Sequence, residues 1–228
     1  MKQKITNLIK ESHSRSIKKR QEHRLFNIPV FIKDELSESV NIIKVINTVE
    51  NLIPSFLTNN IEIIYIGQFQ EMLDREVNAM YSNGAIYVTN IQNDNLDMID
   101  DIIHEISHAV EESFTFEIYG DGVVENEFIL KRSVLRRILK SYNYSVEEYD
   151  FLDPDWTREI DSFLYQDVGY PKLNVMVSGL FNSAYAATSL REYFANAFEE
   201  YFLGNRKNLS KISPQLYKKI DFITQLSS

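Results

Sequence analysis

Two histidines four residues apart, His104 and His108, lie inside the run Asp100-Asp101-Ile102-Ile103-His104-Glu105-Ile106-Ser107-His108-Ala109-Val110-Glu111, and no other stretch constrains the fold so strongly. Ile99, Ile102, Ile103, Ile106 and Val110 recur at helical spacing and predict a core face, which leaves the two histidines together on a neighbouring one. Residues four apart on a helix stand one turn from each other, so both imidazoles can converge on one ion. His-Glu-x-x-His is a zinc-hydrolase signature for that reason. Zinc takes neutral imidazole at roughly 2.0–2.1 Å and keeps one position open for water in catalytic sites, and Glu105, beside the first histidine, is placed to receive that water's proton. The chain has only four histidines, so chance seldom produces this spacing.

Composition narrows the remaining classes. At 228 residues the chain is long enough for one sizeable core or for a domain with an appended segment. Cysteine is absent, which removes disulfides, thiolate nucleophiles and cysteine-ligated metal. A formal net charge of -9 argues against a generally nucleic-acid-binding surface, because phosphate contacts need clustered lysine and arginine. No apolar run approaches the roughly 20 residues of a membrane span, and the start Met1-Lys2-Gln3-Lys4 leads into polar sequence rather than an apolar signal core. The chain as given reads as cytoplasmic, the alternatives being prior processing or secretion or delivery by a route that leaves no such mark.

Residues 1–24 read as a basic arm, with Lys2, Lys4, Lys10, Arg15, Lys18, Lys19, Arg20 and Arg24 against Glu11 and Glu22. Ile5, Leu8, Ile9 and Ile17 would support a weak amphipathic helix that touches a membrane surface, nucleic acid or an acidic partner; a solvated extension is the plainer alternative. His13 and His23 are not expected to be ligands. Residues 25–228 read as one domain. Within it the sequence predicts an extended piece at Asn27–Ile32, a helix over about Glu35 to Phe56 capped by Asp34 or Ser37, a strand over Ile61–Ile66 and a short helical piece at Phe69–Asp74. Asn83-Gly84 between two β-like runs predicts a type I′ hairpin. Its exposed edge could pair with an extended peptide and lay a carbonyl over the metal. Later segments read as helices: Glu125–Lys140 with Lys131, Arg132, Arg136, Arg137 and Lys140 on a solvated face, one capped by Asp153-Pro154-Asp155-Trp156 and running to about Gln166, and one over Pro171–Leu180. The fold class is therefore α+β: a small mixed sheet, the histidine helix, then a mainly helical C-terminal half.

No histidine follows His108, so a third ligand, if there is one, must be an oxygen donor, and the place to seek it is a second helix packed against the first. Ser189–Gly204 predicts that helix, with Thr188 or Ser189 as cap, Gly204 as stop, and Leu190, Phe194, Ala197, Phe198 and Tyr201 on its buried face. Glu192 lies one turn before Asn196, so a carboxylate could reach the metal while the amide supports a neighbouring ligand.

His104-Glu105-x-x-His108, Tyr185, and Glu192-Tyr193-Phe194-Ala195-Asn196-Ala197-Phe198 together resemble the lethal-factor-like zinc proteases, with the clostridial Pro-Pro endopeptidases as small relatives. That family follows its motif with a Tyr and, seven residues later, a Glu opening an aromatic-rich helix. Ser213–Ile220 is similar to the family's closing helix, and the stretch between His108 and Tyr185 is longer than in the small relatives. The resemblance implies a zincin-like fold and a Zn²⁺-dependent endopeptidase acting on a protein or peptide substrate. It implies His104, His108 and Glu192 as metal ligands and Glu105 as general base and then proton donor. Tyr185 would stabilise the oxyanion near the open position. The plainer alternatives are a core aromatic for Tyr185 and an exposed helix carboxylate for Glu192. The family has Glu where this chain has Asn196; an amide there carries no charge, which predicts weaker support for a ligand imidazole. For the whole chain, the alternative is a weak or inactive zincin-scaffold binding or assembly protein that engages its partner through the basic arm.

Overall fold

A computed structural model of the chain describes residues 23–226. The fold is α+β, with a five-stranded mixed sheet and a larger helical part. Two compact units divide it, one built from the chain up to Asn51 and from Ile61–Asp101, the other from Leu52–Asn60 and from Ile102 onward.

The first unit holds the sheet, in strand order β1-β2-β3-β5-β4: β1 His23–Leu25, β2 Ile28–Ile32, β3 Ile63–Ile66, β4 Ala79–Ser82 and β5 Ala85–Val88. The β2–β3 and β3–β5 pairs are parallel, while β1–β2 and β4–β5 are antiparallel. Alternation sets the faces, since successive side chains on a strand point opposite ways: Val30, Ile64, Ile66, Ile86 and Val88 are buried. Asn83 and Gly84 take φ of 49° and 78°, as the expected hairpin turn requires, and pair Ser82 with Ala85 across it. Strand β1 takes in His23 and Arg24, opposite Val30 and Pro29, so the sheet includes two residues assigned to the arm from the sequence. The expected amphipathic helix of the arm and its partners fall on residues 1–22, outside the described residues.

Helix α1, Ile42–Leu52, is shorter at both ends than the predicted span from Glu35 to Phe56. The expected caps are engaged elsewhere: the Gln68 amide donates to Asp34 Oδ2 at 2.8 Å, and Ser37 Oγ donates to the Asn90 carbonyl at 3.2 Å. Asn41 caps instead, its Oδ1 accepting from the Lys44 amide at 3.1 Å. Pro54 then precedes a 3₁₀ turn over Ser55–Thr58. Helix α2 is Gln70–Arg75. Helix α3, Asn95–Ser113, carries the two histidines; Asp94 Oδ1 accepts from the Leu96 and Asp97 amides at 2.7 and 3.1 Å and fixes its start. The division between the two units falls inside α3.

The second unit contains α4 (Thr115–Tyr119), α5 (Val123–Ser141), α6 (Arg158–Ser162), α7 (Tyr170–Met176), α8 (Leu190–Phe202), α9 (Arg206–Ile212) and α10 (Pro214–Gln225). Helix α8 is its hub: it touches α5, α9, α10 and a 3₁₀ turn over Tyr185–Ala187, and Tyr193 to Phe198 are all buried. Three expectations fail here. Lys131 and Arg132 on α5 are buried rather than solvated. The Lys131 ammonium donates to the Leu180 carbonyl, the Ile212 carbonyl and Ser213 Oγ at 2.8, 2.7 and 2.9 Å, while Arg132 donates to the Asp153 carbonyl at 2.5 Å. The Lys131 ammonium, with three acceptors, can be buried, which a periodicity count does not register; Arg132 leaves Nε and Nη2 without a hydrogen-bond partner. The helix expected from Asp153 to Gln166 is capped by Thr157, runs only over Arg158–Ser162, and passes into a π-helical turn at Phe163–Val168. The next helix ends at Met176 rather than Leu180.

Candidate metal centre

The site is assembled from α3, α8 and the turn that precedes α8. His104 and His108 stand one turn apart on α3, with ring centroids 4.9 Å apart and planes near perpendicular at 85°. His104, Glu105 and His108 each offer a ligand atom within 4.8 Å of the others. From α8, Glu192 Oε2 lies 3.2 Å from His104 Nε2 and Glu192 Oε1 lies 3.8 Å from His108 Nε2. The carboxylate therefore faces both imidazoles at once. Ser189, the N-cap of α8, accepts from the Glu192 amide at 3.1 Å and so fixes the residue's backbone as well as the helix start.

Two buried polar atoms in this group lack a hydrogen-bond partner, Glu192 Oε2 and His108 Nδ1. Glu192 Oε2 lies close enough to His104 Nε2 for electrostatic attraction, yet no hydrogen bond satisfies it. A buried, unsatisfied carboxylate oxygen among imidazole nitrogens is costly unless a cation meets it. Two imidazoles and a carboxylate suit a divalent transition metal, so the donor set fits a metal ion.

Electrostatics distinguish the two histidines. Burial alone would push His104 down, but the close carboxylates of Glu192 and Glu199 outweigh it and hold its pKa well above the ordinary value. His108 goes the other way: burial lowers it to about 3, with Glu192 pulling up and the neighbouring His104 pushing down. Glu192 is held below the usual carboxylate range; burial opposes this, but His104 and His108 prevail. Tyr185, 36% exposed, has its ring 6.3 Å from His104. Burial, reinforced by Glu192, raises its pKa, so the phenol stays protonated and able to donate.

All five residues singled out in the sequence, His104, Glu105, His108, Tyr185 and Glu192, thus belong to one neighbourhood of the second unit. The support expected from Asn196 comes from another residue. Its side chain accepts from Ser183 Oγ and donates to the Glu192 carbonyl at 3.1 Å, away from the imidazoles. His104 Nδ1 instead donates to Glu199 Oε1 at 2.5 Å. Glu199 lies two turns beyond Glu192, and that seven-residue spacing on one helix face was the available signal. Glu111 was also missed: its Oε2 lies 3.8 Å from His108 Nδ1, and Oε1 accepts from the Tyr119 hydroxyl at 2.5 Å. A separate groove of about 680 Å³, lined by Arg136, Arg137, Lys140, Glu147 and Tyr149 among others, includes none of these residues. No protein-family model matches the chain, and comparisons with curated proteins and with solved structures find no match.

Proposed function

We propose that the chain is a zinc-dependent endopeptidase of zincin-like fold, related to the lethal-factor-like proteases. The observation that carries this reading is the meeting of His104, His108 and Glu192, brought from two helices far apart in sequence, with Glu105 and Tyr185 beside them. His104, His108 and Glu192 would hold the ion. A zinc ion there supplies Lewis acidity, polarising a carbonyl and making water nucleophilic near neutral pH. Glu105, 5% exposed, takes the proton released as water adds to the peptide carbonyl and returns it to the leaving nitrogen. Tyr185, kept protonated by its surroundings, donates a hydrogen bond to the oxyanion that develops on that carbonyl. Glu199 orients His104 through Nδ1, leaving Nε2 for the ion.

Hydrolysis of a peptide library by the zinc-supplemented full chain, with a chelator control, tests this directly. Glu105→Gln is expected to keep zinc and lose at least about 10²–10⁴ of turnover, the usual contribution of a general acid–base group. Undiminished cleavage by that variant would remove Glu105 from the mechanism.

A further inference from the structure

A row of aromatic rings leads away from His104. Tyr185 lies 6.3 Å from the His104 ring, Tyr170 lies 6.3 Å from Tyr185, and Tyr165 lies 5.2 Å from Tyr170, edge to face. The far end is open to solvent, with Tyr165 57% exposed. Unusual backbone presents this end: α6 passes into the π-helical turn at Phe163–Val168, whose Phe163, Leu164 and Val168 are buried while Tyr165 projects outward. Gly169 then turns the chain at φ 83° into α7, which begins with Tyr170. π turns are rare and are retained mostly where a side chain must be placed for function.

Asp161, on α6, stands beside this row. The Tyr170 hydroxyl donates to its Oδ1 at 3.5 Å, the long limit of a hydrogen bond. Among the described residues no lysine or arginine forms an ion pair with it. Burial and Glu192 raise its pKa against the weak help of Tyr170. Arg191, on α8, lies 4.0 Å from Glu111. A half-buried carboxylate with no cation of the protein's own, set at the end of a row of tyrosine rings, offers a place where the cation of a ligand can dock.

We propose that Asp161, Tyr170 and Tyr165 form a subsite for a cationic side chain of the peptide substrate. Carboxylate and ring act together: the carboxylate meets the charge, and an aromatic face within about 6 Å adds a cation–π contribution. Arginine suits this better than lysine, because its planar group stacks on a ring while bonding a carboxylate. Two ring-to-ring steps separate Tyr170 from His104, so the cation belongs about one to three extended residues from the scissile bond. The assignment rests on the protease reading, but a binding measurement tests it separately. The full chain in zinc-containing buffer is titrated with N-acetyl-arginine methylamide and with its neutral isostere N-acetyl-citrulline methylamide. Arginine is expected to bind at least about tenfold tighter, the scale of one charge-assisted hydrogen bond. Asp161→Asn is expected to bring the two within about twofold, and Asp161→Glu to restore most of the difference. Should Asp161→Asn fail to fold, the exposed Tyr165→Ala reads the ring alone, with arginine weakened about threefold and citrulline unchanged. Equal binding of the two probes, or discrimination that survives both Asp161→Asn and Tyr165→Ala, overturns the subsite. Parallel hydrolysis of arginine and citrulline peptides separates the two readings. Discrimination without any cleavage overturns the protease reading alone; cleavage indifferent to arginine overturns the subsite alone.

Discussion

The Nδ1 proton of His104 is held by Glu199 Oε1 at 2.5 Å, and a carboxylate at that place raises the basicity of the opposite ring nitrogen. Glu199→Gln keeps the shape and removes the charge, so zinc affinity is expected to fall about 10–100-fold, read by competition with a chromophoric chelator. Unaltered affinity would show that Glu199 merely packs. The two histidines also set the pH dependence of zinc binding. Without metal, His104 carries a proton because its carboxylate partners hold its pKa well above 6.5, whereas His108, at about 3, is already neutral. Zinc needs both neutral, so binding expels one imidazole proton, not two. Affinity is therefore expected to rise by close to tenfold per pH unit while the pH is below the His104 value, and to level off above it. Chelator competition at several pH values measures the slope. A slope of two would mean that His108 also gives up a proton.

Helix α8 matters as an element because its start, its core face and its ligand are linked. Ser189 accepts the Glu192 amide at 3.1 Å, so losing the cap loosens the turn that carries the ligand. Ser189→Ala is expected to cost about 1 kcal/mol of stability, read by denaturant titration, and to weaken zinc binding as well. A stability loss with zinc affinity untouched would separate the cap from the site. Much of this was legible from residues alone: a cap at Thr188 or Ser189, the helix expected over Ser189–Gly204 and found over Leu190–Phe202, the Asn83-Gly84 hairpin and the histidine pair on α3 each have a local signature. The failures share a cause. Asp34 and Ser37 resemble caps, but their hydrogen bonds go to the Gln68 amide and the Asn90 carbonyl, far along the chain, so α1 starts at Ile42. Nothing local in Phe163–Val168 distinguishes a π-helical turn from a continuing helix.

At the scale of the molecule, the α+β class followed from the order of the elements, whereas the division into two compact units did not, because it cuts through the continuous helix α3. Among the described residues no helix is long and apolar enough to cross a membrane. Lys131 shows why buried polar positions escape a sequence reading: its three acceptors come from Leu180, Ile212 and Ser213, which only the folded second unit brings to it. The same holds for Glu199, whose place beside His104 depends on tertiary packing and not on the motif. The whole reading turns on His104, His108 and Glu192 sharing one ion, and metal content tests it most directly. Elemental analysis of the purified full chain, dialysed after zinc loading, is expected to give one zinc per chain, and less than a tenth of that for His108→Ala and for Glu192→Ala. Stoichiometric zinc in both variants, or none in the parent, would contradict it.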